Sequence, residues 1–213
     1  MSFATLFKDP INLIITGVGG QGNVLSSQVL GRLLIKKGLQ VSIGETYGLS
    51  QRGGAVMSQM RLSARRTFGP IIPAGRADII VGLEPLEALR TLGTYGQPEV
   101  RVLANSRPIV PINVLSGQAS YPETEKIRDA LRDLAQQVWW IPASETALRL
   151  GNPVLANMVM LGALIGTGLL PLTAEDFEAL ARKQWEDRRA AVNLQAVREG
   201  TALVEKGLGG PPV

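Results

Sequence analysis

The apolar positions fall into short runs separated by glycine-rich turns and amphipathic stretches. Ile11-Asn12-Leu13-Ile14-Ile15-Thr16 is nearly continuous and rich in Ile. Such a run predicts a strand covered on both faces, as in parallel sheets. It leads into Gly17-Val18-Gly19-Gly20-Gln21-Gly22, after which Val24, Leu25, Val29, Leu30, Leu33 and Leu34 recur at helical spacing. Lys36, Lys37 and Gly38 supply a helix stop, and Val41 to Glu45 predicts a second strand. Residues 11–45 therefore read as one βαβ unit.

Further along, Ala55 to Ser63 reads as a strand and Phe68 to Pro73 as a short return strand. The pair predicts a β-hairpin excursion from the sheet. Asp78 to Leu83, Val100 to Asn105 and Val138 to Ile141 are three more buried strands. Glu84-Pro85 starts a helix, with Pro suited to the first turn. Ile127, Ala130, Leu131, Leu134 and Ala135 form a helical stripe. Pro153 to Leu170 is apolar and contains Gly162-x-x-x-Gly166, a spacing that lets helices approach closely. Its Asn157, its Thr167 and its helical length suit a buried core helix better than a membrane span. Thr173 to Asp176 predicts the cap of a last helix running through Trp185 and past Val197. Alternating strands and helices imply an α/β, Rossmann-like fold: a mostly parallel sheet with helices on both faces. Residues 1–213 are expected to form one domain with a helical C-terminal part, about 151–205, and a flexible Gly/Pro tail.

Composition narrows the chemistry. The 213 residues are 45% hydrophobic and 19% charged, with a formal charge of +4, which excludes disorder as the main state and needs no nucleic-acid partner. Cys and His are both absent. Disulfides, thiol nucleophiles, a Ser-His-Asp triad, structural zinc sites and Cys-ligated iron–sulfur clusters are thereby excluded. No metal ligand set and no catalytic acid or base is expected. The first ten residues include Lys8 and Asp9 and lack the apolar core of a signal peptide, so the expected location is cytoplasmic.

The glycine loops carry the candidate site. Gly17-x-Gly19-x-x-Gly22 lies between a strand and a helix, where backbone N–H groups and the helix dipole suit a phosphate. Gly20 and Gln21 belong to the same loop. Glu45 ends the second strand, where a ribose-binding acid would stand in a dinucleotide site. A second loop, Thr46 to Gly54, leaves the same sheet edge, with Ser50, Gln51, Arg52, Gly53 and Gly54 as candidate anion-binding groups. Asn105, at another strand's C-terminal end, suits either binding or a turn. Asn157 must find a partner if buried, either a neighbouring helix or the ligand site.

Four segments carry a resemblance: Gly17 to Gly22; Glu45-Thr46-Tyr47-Gly48-Leu49-Ser50-Gln51-Arg52-Gly53-Gly54; Ala77 to Ala88; and Gly151-Asn152-Pro153 through Asn157-Met158. In this order they resemble the gamma-type subunit of 2-oxoacid:ferredoxin oxidoreductases. The Ser-Gln-Arg-Gly-Gly form is most similar to the beta subunit of the indolepyruvate enzymes. The resemblance covers about Ile11 to Gly200, and Tyr47 departs from it where many relatives have His. It implies a heteromer in which a larger catalytic subunit holds thiamine diphosphate and iron–sulfur clusters. The complex would decarboxylate a 2-oxoacid oxidatively, pass the acyl group to coenzyme A and reduce ferredoxin. This chain would contact coenzyme A and be inactive alone. A free-standing NAD(P)- or flavin-dependent oxidoreductase, with Glu45 on the ribose, and a non-catalytic scaffold subunit remain as alternatives.

Overall fold

The computed structural model describes residues 6–47, 54–110, 114, 116–117 and 120–207. Its sheet is built from β1 (Ile11–Val18), β2 (Gln40–Tyr47), β3 (Ala55–Ser63), β4 (Ile79–Gly82), β5 (Arg101–Asn105) and β6 (Gln137–Ile141). The spatial order is β2-β3-β1-β4-β5-β6. β1, β4, β5 and β6 pair in parallel, whereas β3 runs antiparallel to both β1 and β2. The α/β, mostly parallel architecture agrees with the sequence.

The helices are α1 (Asn23–Lys36), α2 (Pro85–Tyr95), α3 (Thr124–Leu134), α4 (Ala143–Arg149), α5 (Ala156–Gly166), α6 (Ala174–Gln184) and α7 (Asp187–Glu205). They cover both faces of the sheet. The period-2 alternation of β1 decides which side chain meets which layer. Leu13 and Ile15 enter a core shared with Leu30, Leu33, Met158, Val159 and Val197 of α1, α5 and α7. Ile14 points to the opposite core, with Ala88, Leu92, Ile127 and Leu131 of α2 and α3. Among the described residues no helix is long and apolar enough to cross a membrane.

Two expectations need correction. The hairpin is not an excursion: β3 is inserted between β1 and β2, so the predicted βαβ unit straddles an extra strand. Residues 68–73 form no strand. They are pinned against the sheet by side chains, with Ser42 Oγ donating to Phe68 O at 2.6 Å and Ile72 N–H to Gln59 Oε1 at 2.5 Å. Arg61 and Arg66 each stack on the Phe68 ring at 4.7 Å. Pro70 and Pro73 lack the N–H groups that a ladder needs. The second correction is that the last predicted helix is two. The Thr173–Asp176 capping box starts α6 as expected, but Trp185 is extended and the chain restarts as α7. Residues 208–213, where most of the flexible tail was expected, lie outside the described residues.

Candidate functional site

β1 passes to α1 on one face, and its neighbour β4 passes to α2 on the other. The chain therefore reverses its winding between β1 and β4. In open α/β sheets the crevice beyond the C-terminal ends of such strands is the ligand position. A cavity of about 330 Å³ opens there, lined by Gly20 and Gln21 after β1, Leu83 after β4, Asn105 and Arg107 after β5, Ser144 of α4, and Asn157 and Met160 of α5.

The first loop is tightly self-bonded. Gly20 and Gly22 have φ of 99° and 85°, a left-handed conformation that favours glycine. A Cβ on Gly22 would also stand 2.2 Å from Asn157 Nδ2. Gln21 folds back: Val18 N–H donates to its Oε1 at 2.7 Å, and its Nε2 donates to Leu83 O at 2.7 Å. A Cβ on Gly17 would fall 2.6 Å from that Gln21 oxygen. Gly19 N–H donates to Gly54 O at 2.9 Å, which joins the two glycine loops at one edge. Gly22, the N-cap of α1, makes no side-chain cap. The first N–H groups of α1 have no intrahelical acceptor, so the positive helix end remains available.

The other predicted residues are more scattered. Asn105 is buried, and its amide donates to Leu83 O at 3.1 Å and to Ser144 Oγ at 2.8 Å. It braces the β4–α2 turn against α4 while lining the cavity. Glu45 lies on β2 and accepts from Ser27 Oγ at 3.4 Å. With β3 between, it is two strand spacings, about 10 Å, from β1. Ser50, Gln51, Arg52 and Gly53 lie outside the described residues.

Sequence reasoning missed the cavity's other wall. Glu84 is 1% exposed and caps α2 by accepting Glu87 N–H at 2.8 Å. It also accepts the Tyr121 hydroxyl and the Ile109 N–H. One buried carboxylate therefore ties the cavity-lining segment at Ile109 and the approach to α3 onto the β4–α2 turn. Burial pushes the Glu84 carboxyl above its ordinary range, against the hydrogen bonds that favour its charge. Burial and the Glu84 charge raise the Tyr121 phenol as well. A raised carboxyl contributes stability that is fully present below its ordinary pKa and is lost as pH rises through the raised value. Wild type should therefore lose stability relative to Glu84→Gln as pH rises from the ordinary carboxylate range upward. Urea midpoints for both proteins across that range test this. A difference that is flat or runs the other way rejects an elevated Glu84.

The pyruvate ferredoxin/flavodoxin oxidoreductase family model matches residues 12–203. The indolepyruvate oxidoreductase subunit IorB of Archaeoglobus fulgidus is 36% identical over 190 residues, 89% of this chain and 93% of the relative. The chain belongs to the pyruvate ferredoxin/flavodoxin oxidoreductase family. Its fold recurs in pyruvate oxidoreductase subunit PORC of Thermotoga maritima, with a TM-score of 0.67 and 20% identity, covering 92% of this chain and 97% of that one. It recurs in the 2-oxoglutarate:ferredoxin oxidoreductase of Magnetococcus marinus, solved with 2-oxoglutarate, coenzyme A and succinyl-CoA bound. There the TM-score is 0.69 at 22% identity, covering 93% of this chain but 32% of the longer one. Within the family this protein is a small subunit of a 2-oxoacid:ferredoxin oxidoreductase.

Proposed function

We propose that this chain is the cluster-free subunit of an indolepyruvate-type ferredoxin oxidoreductase, and that the sheet edge bearing its two glycine loops faces a larger catalytic subunit and helps hold coenzyme A. The observation carrying this reading is the Gly19–Gly54 bond, which ties the first loop to the residue that directly follows Ser50-Gln51-Arg52-Gly53 in the sequence. With the Val18, Gly19 and Gln21 N–H groups already bonded, anion binding falls to the start of α1 and to Arg52. A helix N-terminus and a guanidinium together suit the phosphates of coenzyme A. The IorB relative supports indolepyruvate or another aryl pyruvate as the 2-oxoacid.

The electron-transfer groups do not fit this chain. It has no Cys to hold an iron–sulfur cluster. Among the described residues no three His, Cys, Asp or Glu side chains gather as a metal site. Those groups belong on the partner, and the isolated chain is inactive. Its own residues bind, orient and exclude water. The dinucleotide alternative is disfavoured by β3, which holds Glu45 away from β1, where a ribose acid would be needed. Binding of NADH to the isolated protein at micromolar concentration, lost in Glu45→Ala, would restore it.

Reconstitution with the large subunit tests the main reading. Arg52→Ala should raise KM for coenzyme A about tenfold or more, the loss given by one hydrogen bond to a charged group. Wild-type KM and turnover would remove the second loop from the mechanism.

A further inference from the structure

β2 is an outer strand of the sheet and pairs on one side only, with β3. Among the described residues its backbone bonds all run to β3. Its eight residues pair without a bulge from Gln40↔Ser63 to Tyr47↔Val56, and they include no Pro and no Lys. Shortness, bulges, prolines and lysines are the devices that stop an edge strand from pairing further, and β2 has none of them. The other outer strand, β6, is only five residues long.

Both faces beside this edge carry exposed apolar side chains. On the α1 face, a Cβ on Gly31 would lie 3.0 Å from Ile43 Cδ1 and 3.7 Å from Val41 Cγ1, so this flank of α1 overhangs β2. Ile35, one helical turn on from Gly31, is 57% exposed. On the opposite face, a Cβ on Gly44 would lie 3.0 Å from Pro70 Cβ, and Ile71, next in the chain, is 66% exposed. A long open edge between two solvent-exposed isoleucines marks an interaction surface.

We infer that β2 pairs antiparallel with β2 of a second copy of this chain, across a twofold axis normal to the sheet, so that two sheets become one. The strand is complementary to itself. Opposite residues of an antiparallel pair share a face, so the register sets odd numbers against odd and even against even. With Ile43 opposite its own copy, Val41 faces the other copy's Glu45, and Ser42 faces the other copy's Gly44. Glu45, the one charged residue of β2, then never meets itself. Arg32 follows Gly31 on α1, is exposed, and makes no hydrogen bond or ion pair among the described residues. The same register brings it toward the other copy's Glu45, an opposite charge. Twofold symmetry, the commonest in oligomers, satisfies both open edges in one contact. β2 runs parallel to β1, because β3 is antiparallel to both. The axis therefore points the two C-terminal sheet edges in opposite directions, and each copy keeps that edge free for its own large subunit.

Light scattering on the full chain after size exclusion should give twice the mass of one chain. The double variant Ile35→Lys/Ile71→Lys should halve that mass and leave the far-ultraviolet circular dichroism spectrum unchanged, since both side chains are already largely in water. The chain has no Cys, so Ile43→Cys supplies a single thiol, and in the proposed register the two copies' thiols lie within disulfide reach. Mild oxidation should cross-link Ile43→Cys but not Val154→Cys, whose side chain is exposed beside the cavity instead. A wild type that is monomeric at every concentration tested overturns the inference. So does a dimer that survives the double variant and leaves Ile43→Cys uncross-linked. A thiol in Ile43→Cys that becomes protected only on assembly with the large subunit assigns the edge to a strand of that subunit, which also overturns pairing with a second copy.

Discussion

Replacing Gly200 by alanine is expected to lower the thermal unfolding midpoint by about 6–12 °C, the effect of about 3 kcal/mol of overpacking in a chain of this size. A Cβ on Gly200 would lie 2.0 Å from Val159 O and 2.8 Å from Ala163 N. Across the same contact, a Cβ on Gly162 would lie 2.0 Å from Val197 O. These are backbone atoms of α5 and α7, so no rotamer change relieves the clash. The helices must separate, which also breaks the 3.1 Å bond from Thr201 Oγ1 to Gly162 O. Gly93→Ala in α2 is the comparator. Nothing lies within 4 Å of its added Cβ, the site is exposed, and helix propensity alone should stabilise by about 0.5–1 kcal/mol. Calorimetry of the two variants should show shifts of opposite sign. Equal behaviour would mean that the α5–α7 approach is not set by its glycines.

This contact shows what the sequence made legible. Gly162-x-x-x-Gly166 marked a close helix approach, but the partner helix carries a single glycine in an ordinary polar pattern and gave no signal. The same division holds for the sheet. β1, β4, β5 and β6 were readable because strands buried on both faces need continuous apolar runs. The place of β3 was not, because insertion between β1 and β2 is a long-range pairing that leaves no local mark. Phe68 to Pro73 looked like a strand because Phe and Ile suit strands, yet side-chain anchors hold it as an irregular cover. The break between α6 and α7 lacks Gly and Pro. It is fixed by Trp185, which turns back to lie 6.0 Å from the Phe177 ring. At the site, the glycine loop was legible because its spacing requires a strand before it and a helix after it. Asn157 was visible only as an apolar helix's odd residue. Arg107 and Ser144 line the cavity from separate segments, Tyr121 meets Glu84 from two others, and no spacing rule links them.

Asp78→Ala should cost about 2–4 kcal/mol in urea unfolding, while Lys8→Ala should cost less than about 1 kcal/mol, although the two residues form an ion pair. The asymmetry follows from burial. Asp78 is 1% exposed at the start of β4, whereas the Lys8 side chain is 43% exposed. Asp78 Oδ1 accepts from Lys8 Nζ at 2.5 Å and from Gln97 Nε2 at 2.7 Å; Oδ2 accepts the Asn12 N–H at 2.8 Å. Removing the carboxylate strands the buried Asn12 N–H on β1, which water reaches poorly, and also costs the half-buried Gln97 amide its partner. Removing Lys8 leaves the carboxylate two other donors, and the lysine is already largely solvated. Asp78→Asn should fall between them, because an amide offers one acceptor oxygen where the carboxylate uses two. Asp78 stands at the N-terminal end of its strand, opposite the cavity at the C-terminal edge. In the assembled complex below the unfolding transition, Asp78→Ala should therefore leave KM for coenzyme A unchanged while lowering the unfolding midpoint. A rise in that KM matching the loss of stability would mean that the two sheet edges are coupled and that the site is not a rigid property of the loops that form it.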